Sequence, residues 1–174
     1  MAPPQTPFLE SERLYYRWLS ETDRRDYLAL SMSEAVMRHI TGAPMTFEAA
    51  TQRFDNNLLI PDNSPGCGVV ACRLKGDQSF VGVGKVVFVE DGRIEIGYSL
   101  MEHAWGQGLG SEIAAEMVRY ARQLNTHELM AITDPVNAPS NKILERLGFE
   151  FERSGTYKDM PAFFHRLPLQ KQTL

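Results

Sequence analysis

Trp105-Gly106-Gln107-Gly108-Leu109-Gly110-Ser111 stands where a strand pattern gives way to a long helical one. Its glycines alternate with Gln107 and Leu109. Glycine adopts backbone conformations that other residues resist, and it lets a ligand approach the main chain closely. A helix N-terminus adds unpaired N–H donors and a partial positive charge. The two together make a cradle for phosphate groups. A tight strand-to-helix turn would carry the same letters, so the string needs its context. No Gly-Lys-Ser/Thr ending follows, which excludes a Walker loop. The glycine spacing differs from G-x-G-x-x-G, and the preceding strand closes a meander instead of opening a βαβ unit, which argues against a dinucleotide fold.

Working outward, residues 106–124 show helical spacing. Leu109, Ile113, Met117, Tyr120, Ala121 and Leu124 fall on one side, and Glu112, Glu116, Arg119 and Gln123 elsewhere. Upstream, strands are predicted over 68–74, 80–89 and 93–100, with Gly76-Asp77 and Asp91-Gly92 as turns, which makes an antiparallel meander. Before it come a strand over 14–19, a broken helical pattern over 21–39, a helix from N-cap Thr46 to about Leu59, and a turn cluster over 61–66. Downstream lie a short buried strand over 129–133, a helix from Pro139 or Ser140 to Leu147 stopped by Gly148, and closing strands over 149–157 and 162–169. The order is β, α, α, β, β, β, α, β, α, β, β. Its strand–helix–strand centre is a crossover that sets two strands parallel. The expected fold class is α/β: a mixed sheet with helices on both faces.

The chain has 174 residues, 43% of them hydrophobic, which suits one domain over 1–174 with a substantial core. No apolar run approaches the roughly 18 to 20 residues that span a bilayer, so no membrane is expected. The Pro-rich start, residues 1–8, lacks the basic and apolar regions of a signal peptide and reads as a flexible lead-in. The net charge is −4 and no basic run reaches five residues, so nucleic acid is not an expected partner. That acidic balance gives a small preference for a cationic small-molecule partner. Cys67 and Cys72 are five apart in an apolar stretch, hence on opposite strand faces and unable to bond to each other. They suit small buried residues in a reducing cytoplasm. No metal is expected.

Two further segments give the glycines their meaning. Ile94-Glu95-Ile96-Gly97-Tyr98-Ser99-Leu100-Met101 leads into Ala104-Trp105 and the glycine string. Val136-Asn137-Ala138-Pro139-Ser140-Asn141 continues into Lys142-Ile143-Leu144-Glu145-Arg146-Leu147-Gly148-Phe149. With the opening Glu12-Arg13-Leu14 and Arg17, this sequence resembles the GNAT acetyltransferase superfamily, above all the branch of the RimJ and RimL ribosomal-protein N-acetyltransferases. The resemblance covers nearly the whole chain in the right order. It implies a GNAT fold, a mostly antiparallel sheet split by one parallel pair, with acetyl-CoA in the split. It also implies that main-chain groups of Ser99, Leu100 and Met101 meet pantetheine, and that Gly106, Gln107, Gly108, Leu109, Gly110 and Ser111 hold the pyrophosphate. Asn137 and Asn141 join that cofactor set. The family often has Arg or Gln at the first loop position; here it is Trp105.

Acyl transfer to an amine requires loss of the amine's proton, stabilisation of the thioester oxyanion, and departure of the thiolate with a proton. The resemblance nominates the Leu100 N–H for the oxyanion. Glu95 is the candidate base, directly or through a water, being a lone carboxylate in an apolar strand. An ion-pair partner or a solvated edge residue is the competing reading, and His103 is a second candidate base. Many relatives place an acidic Tyr where this chain has Leu144; the resemblance to the RimJ/RimL branch implies Ser140 as the acid in its stead, and a helix cap is its other reading. Asn137 likewise reads as a pantetheine contact or a cap. Tyr98, Trp18, His39 and Phe164 are candidate lining for the acceptor pocket, or core aromatics. Neither cysteine has a nearby His in sequence, so direct transfer is expected over a Cys-bound intermediate. The expected activity is acetyl transfer from acetyl-CoA to a primary amine, either a protein N-terminus or a small molecule, by a monomer or homodimer. A CoA-binding module without catalysis is the alternative.

Overall fold

The alternating and continuous apolar runs assemble into one eight-stranded sheet ordered β1-β2-β3-β4-β5-β6-β8-β7. A computed structural model of the chain describes residues 8–169; the lead-in at 1–7 lies outside them. Phe8, assigned to that lead-in, stacks on Trp18 with ring centroids 4.5 Å apart. The strands are β1 (Leu9–Glu10), β2 (Leu14–Trp18), β3 (Gly68–Leu74), β4 (Phe80–Phe88), β5 (Ile94–Leu100), β6 (Glu128–Thr133), β7 (Glu150–Tyr157) and β8 (Met160–Pro168). The helices are α1 (Arg24–Met32), α2 (Glu34–Met37), α3 (Phe47–Leu58), α4 (Ile60–Asn63), α5 (Leu109–Ala121) and α6 (Ala138–Arg146). The predicted meander is β3-β4-β5, antiparallel throughout. β5 and β6, joined across α5, are parallel as the crossover requires.

The break in the 21–39 helical pattern falls at Ser33, whose hydroxyl caps α2 by accepting from the Val36 N–H at 3.3 Å. Thr46 caps α3 as expected, accepting from the Ala49 N–H at 3.2 Å. The turn expected over 61–66 begins as the single helical turn α4, with Pro61 in its first turn, where a missing N–H costs nothing. The long helix starts at Leu109, not Gly106, so the glycine string is its entry loop.

Helices cover both sheet faces. On one, Ile94 and Ile96 of β5 pack with Ile113 and Met117 of α5 and Leu144 of α6. On the other, Tyr27 and Leu30 of α1 and Phe54 of α3 pack on Val69 of β3 and Val83 of β4. Each such fully buried apolar side chain stabilises the fold by about 1.5 to 3 kcal/mol. Asp23, fully buried, binds Arg17 of β2 at 2.6 Å and Arg73 of β3 at 2.9 Å, tying the start of α1 to the sheet. Both cysteines are buried free thiols, and no described helix is long and apolar enough to cross a membrane.

Candidate active site

The site begins where β5 and β6 part. They pair only at Ile94↔Leu129 and Glu95↔Met130, so β5 has no β6 partner from Ile96 onward. β5 stays paired with β4 to its end, Gly82 opposite Leu100. The Met101 N–H donates to the Val81 carbonyl at 2.9 Å. In an antiparallel ladder, alternate residues turn their main-chain groups to the same neighbour. Glu95, Gly97, Ser99 and Met101 therefore face β4, while Tyr98 and Leu100 face the split. This corrects the expectation for Ser99 and Met101. Their amides are used inside the sheet, and the Met101 carbonyl accepts from the Ala104 N–H at 2.9 Å. Leu100 does point its N–H into the split, and so does Tyr98, which the sequence analysis did not nominate for this. The Trp105 indole donates to the Leu100 carbonyl at 3.0 Å and staples the end of β5 to the glycine loop.

The loop itself is a row of free donors. Among the described residues, no N–H from Gly106 to Ser111 has a protein acceptor, and no side chain caps α5. Gly106 (φ 71°) and Gly108 (φ 78°) take the left-handed conformation that turns this row outward. One cation braces it. Arg13 donates to the Gln107 carbonyl at 2.8 Å and to the Glu112 carboxylate at 2.7 Å. Glu112 also accepts from the Ser11 hydroxyl at 2.6 Å and the Arg13 N–H at 2.7 Å. Burial alone would raise the Glu112 carboxyl, but these bonds outweigh it and hold it below the usual range. The guanidinium, paired with Glu112, stands beside the loop, its Nη2 3.5 Å from where a Gly108 Cβ would sit.

A cleft of about 160 Å³ runs through the split. Tyr98, Ser140 and Leu144 line one side; Tyr27, Arg53 and Asn57 line the other. Glu95 lies at the vertex, 9% exposed, and its carboxylate accepts from the Lys85 ammonium in a close ion pair. Ser140 Oγ shares a 2.8 Å hydrogen bond with the Tyr98 hydroxyl. Burial pushes the Tyr98 phenol up, and the Ser140 bond offsets part of that rise. The cap of α6 is Asn137, whose Oδ1 accepts from the Ser140 N–H at 3.3 Å, so Ser140 is free of that duty.

Other expected residues are used differently. The Asn141 amide is committed to the loop before α6: it accepts from the Thr133 hydroxyl at 2.5 Å and donates to the Asp134 and Pro135 carbonyls. It braces the site. His103 is exposed in the turn over Glu102–Ala104, outside the cleft, and its carbonyl accepts from Gln107. Of the four aromatic candidates, Tyr98 and His39 line the cleft. Trp18 packs with Phe8 and Tyr120, and Phe164 is buried under the Arg153 guanidinium. The residues missed are Arg13, Arg53, Lys85, Asp134 and Lys158. Asp134 binds His39 Nδ1 at 2.7 Å, a pair that orients the imidazole in the cleft.

The Acetyltransferase (GNAT) domain family matches residues 13–150. N-acetyltransferase p20 of Bacillus licheniformis, itself uncharacterised, is 41% identical over 64 residues, 36% of either chain. The FsC-acetyl coenzyme A-N(2)-transacetylase of Aspergillus fumigatus is 29% identical over 153 residues, 82% of this chain and 64% of that one. The chain thus matches about a third and just under two thirds of these relatives' lengths. Among solved structures, an acetyltransferase from Agrobacterium tumefaciens superposes with a TM-score of 0.81 at 23% identity, covering 94% of this chain and 95% of that one. The Salmonella typhimurium enzyme that modifies the N-terminal serine of ribosomal protein L7/L12 does so with a TM-score of 0.75 at 18% identity, covering 92% and 97%. A split sheet, an uncapped glycine entry to α5, and a family match over residues 13–150 agree: the chain belongs to the GNAT acetyltransferase family.

Proposed function

We propose that this protein is an acetyl-CoA-dependent N-acetyltransferase, residues 8–169 acting as one catalytic unit, that passes the acetyl group directly to a primary amine. The observation that carries it is the continuity of free donors. The N–H row of 106–111 ends beside a strand whose Tyr98 and Leu100 N–H groups face an open cleft. Acetyl-CoA would supply the activated thioester. Gly106 to Ser111 fit its pyrophosphate through main-chain N–H groups, with Arg13 Nη2 as a further donor. Asn137 keeps a free amide NH2 after capping α6 and suits pantetheine. Burial pushes both the Cys67 and Cys72 thiols up, and neither lines the cleft, so a Cys-bound acyl group has no support.

Glu95 takes the amine's proton. Leu100 is five residues further along the strand, roughly 16 Å at about 3.3 Å per residue, so the two do not act on adjacent atoms directly. Tyr98 N–H, three residues or roughly 10 Å from Glu95 at the same rise, is the nearer oxyanion donor, and Leu100 N–H holds the pantetheine chain behind it. Ser140, backed by the Tyr98 hydroxyl, returns a proton to the departing thiolate. A second base is favoured by one observation: the Asp134 bond to Nδ1 leaves His39 Nε2 without a protein partner among the described residues.

Glu95→Gln should lower kcat roughly 100-fold, with the fold intact by circular dichroism. An unchanged kcat would move the role to His39, for which His39→Gln is the matching test. The reading as a whole is tested by a screen of amines and N-terminal peptides with acetyl-CoA, measuring free thiol. Turnover with at least one acceptor is expected. CoA binding without turnover for any acceptor would make the chain a silent CoA-binding module.

A further inference from the structure

The acceptor end of the cleft carries more positive charge than the proposed chemistry uses. Its charged groups are Arg53 on α3, Lys85 on β4, Lys158 on the β7–β8 turn, Glu95, Asp134 and His39. Lys85 is neutralised by Glu95. Asp134 is engaged by His39. Among the described residues, neither Arg53 nor Lys158 has a carboxylate within 4 Å, and Asp159 beside Lys158 makes no ion pair with it. The nearest recorded partner of the Arg53 guanidinium is the Met45 sulfur at 3.7 Å, a weak acceptor. Lys158 Nζ sits 5.2 Å from the Tyr157 ring centroid. Arg53 and Lys158 therefore make no direct ion pair, and three cations face two carboxylates in one cleft of a chain whose net charge is −4.

Lys158 is held there against local preference. β7 and β8 are joined by the two-residue turn Lys158-Asp159, with φ of 50° and 62°. Such turns favour Asn-Gly, because both positions lie in the left-handed region. Bulkier residues in that region mark places where the surroundings impose the conformation. Lys158 is exposed at the rim of the cleft, where partial loss of water, then the charges of Arg53 and Lys85, lower its amine's pKa. An arriving anion would relieve that repulsion.

Building on the proposed transferase activity, we infer that Arg53 and Lys158 form a subsite for a carboxylate carried by the acceptor, so that the acceptor class is an amino acid or another amine bearing a carboxylate. The ammonium end of the acceptor lies toward Glu95 and its carboxylate toward Arg53 and Lys158. A polyamine would bring its second ammonium against both cations. The acidic balance of the whole chain thus gives the wrong sign for this cleft.

The test is a thermal-shift titration of the CoA-saturated protein with each common L-amino acid, its amide, and spermidine, run beside thiol release from acetyl-CoA. At least one amino acid should stabilise the protein at concentrations roughly 10- to 100-fold below its amide, as loss of a charge-assisted pair predicts. Arg53→Gln or Lys158→Ala should bring that acid down to the level of its amide, raising KM with little change in kcat, while Lys158→Arg keeps the preference. Equal or tighter binding of amides or spermidine, no stabilisation by any acid, or discrimination that survives both substitutions overturns the subsite. Carboxylate-dependent binding without thiol release would instead overturn the transferase reading and leave the subsite standing.

Discussion

Gly82→Ala should cost the fold about 2 to 6 kcal/mol, summing backbone strain of about 1 to 3 with overpacking of a similar size. Gly82 is in β4, opposite Leu100, with a φ of 154°. A Cβ placed there would lie 2.1 Å from the Ser99 carbonyl oxygen and 2.9 Å from the Leu100 Cα. Both obstacles are main chain of the neighbouring strand, so neither can swing aside as a side-chain tip would. Gly84 makes the contrast: its nearest obstacle, at 2.7 Å, is the flexible Met117 sulfur. The penalty is large against a typical total stability of about 5 to 15 kcal/mol. Scanning calorimetry should show Tm lowered by roughly 4 to 24 °C. Any folded remainder should bind CoA weakly, because the displaced backbone is the one that aims Tyr98 and Leu100 into the split. A Tm within about 2 °C of the parent would mean that the close contact relaxes freely, and that β5 is not held in place from this side.

The sequence carries some of this architecture and hides the rest for physical reasons. The β3-β4-β5 meander, the parallel β5–β6 pair and the helices on both faces follow from local periodicity, turn residues and the crossover rule. Those signals act over a few residues, and the structure repeats them closely, down to the Thr46 cap. Contacts closed over long separations leave no such trace. The insertion of β8 between β6 and β7 is one case. The Arg13–Glu112 clamp, 99 residues apart, and the His39–Asp134 pair, 95 apart, are others. Glu95 was visible as an unusual carboxylate, but its Lys85 partner was not, because the register that brings them together is a property of the folded ladder. Ser99 and Met101 show the limit most directly. Their place at the end of a strand was readable; the side to which their amides turn depends on a pairing phase that one residue's slip would reverse.

Gly108→Trp should lower CoA affinity at least about 100-fold, because it fills the space into which the glycine loop presents donors in sequence without using them. Gly108 is the N-cap of α5, in the left-handed conformation with φ 78° and ψ 1°. Around a Cβ built there, setting aside its own chain neighbours and helix backbone, the only atom of the described residues within 4 Å is Arg13 Nη2, at 3.5 Å. The indole therefore meets little protein. It occupies the open side of the loop, over the Leu109, Gly110 and Ser111 N–H groups and against the Arg13 guanidinium. Losing two hydrogen bonds to an anion, at about 1.5 to 3 kcal/mol each, gives roughly 3 to 6 kcal/mol, or about 100- to 10,000-fold in Kd. The left-handed conformation adds about 1 to 2 kcal/mol of strain for any residue with a Cβ. Gly108→Ala separates the two effects. It carries the strain without the bulk, and should keep CoA affinity within about tenfold while losing about as much stability as the Trp variant. Isothermal titration of both proteins with CoA decides the matter. If the Trp variant binds like the parent, the phosphates lie elsewhere, and Trp105 to Ser111 is a strand-to-helix turn and nothing more. If both variants lose binding equally, the conformation of the loop matters more than the space above it. The expected result, loss with Trp and retention with Ala, places the anion on the open face of the glycine string.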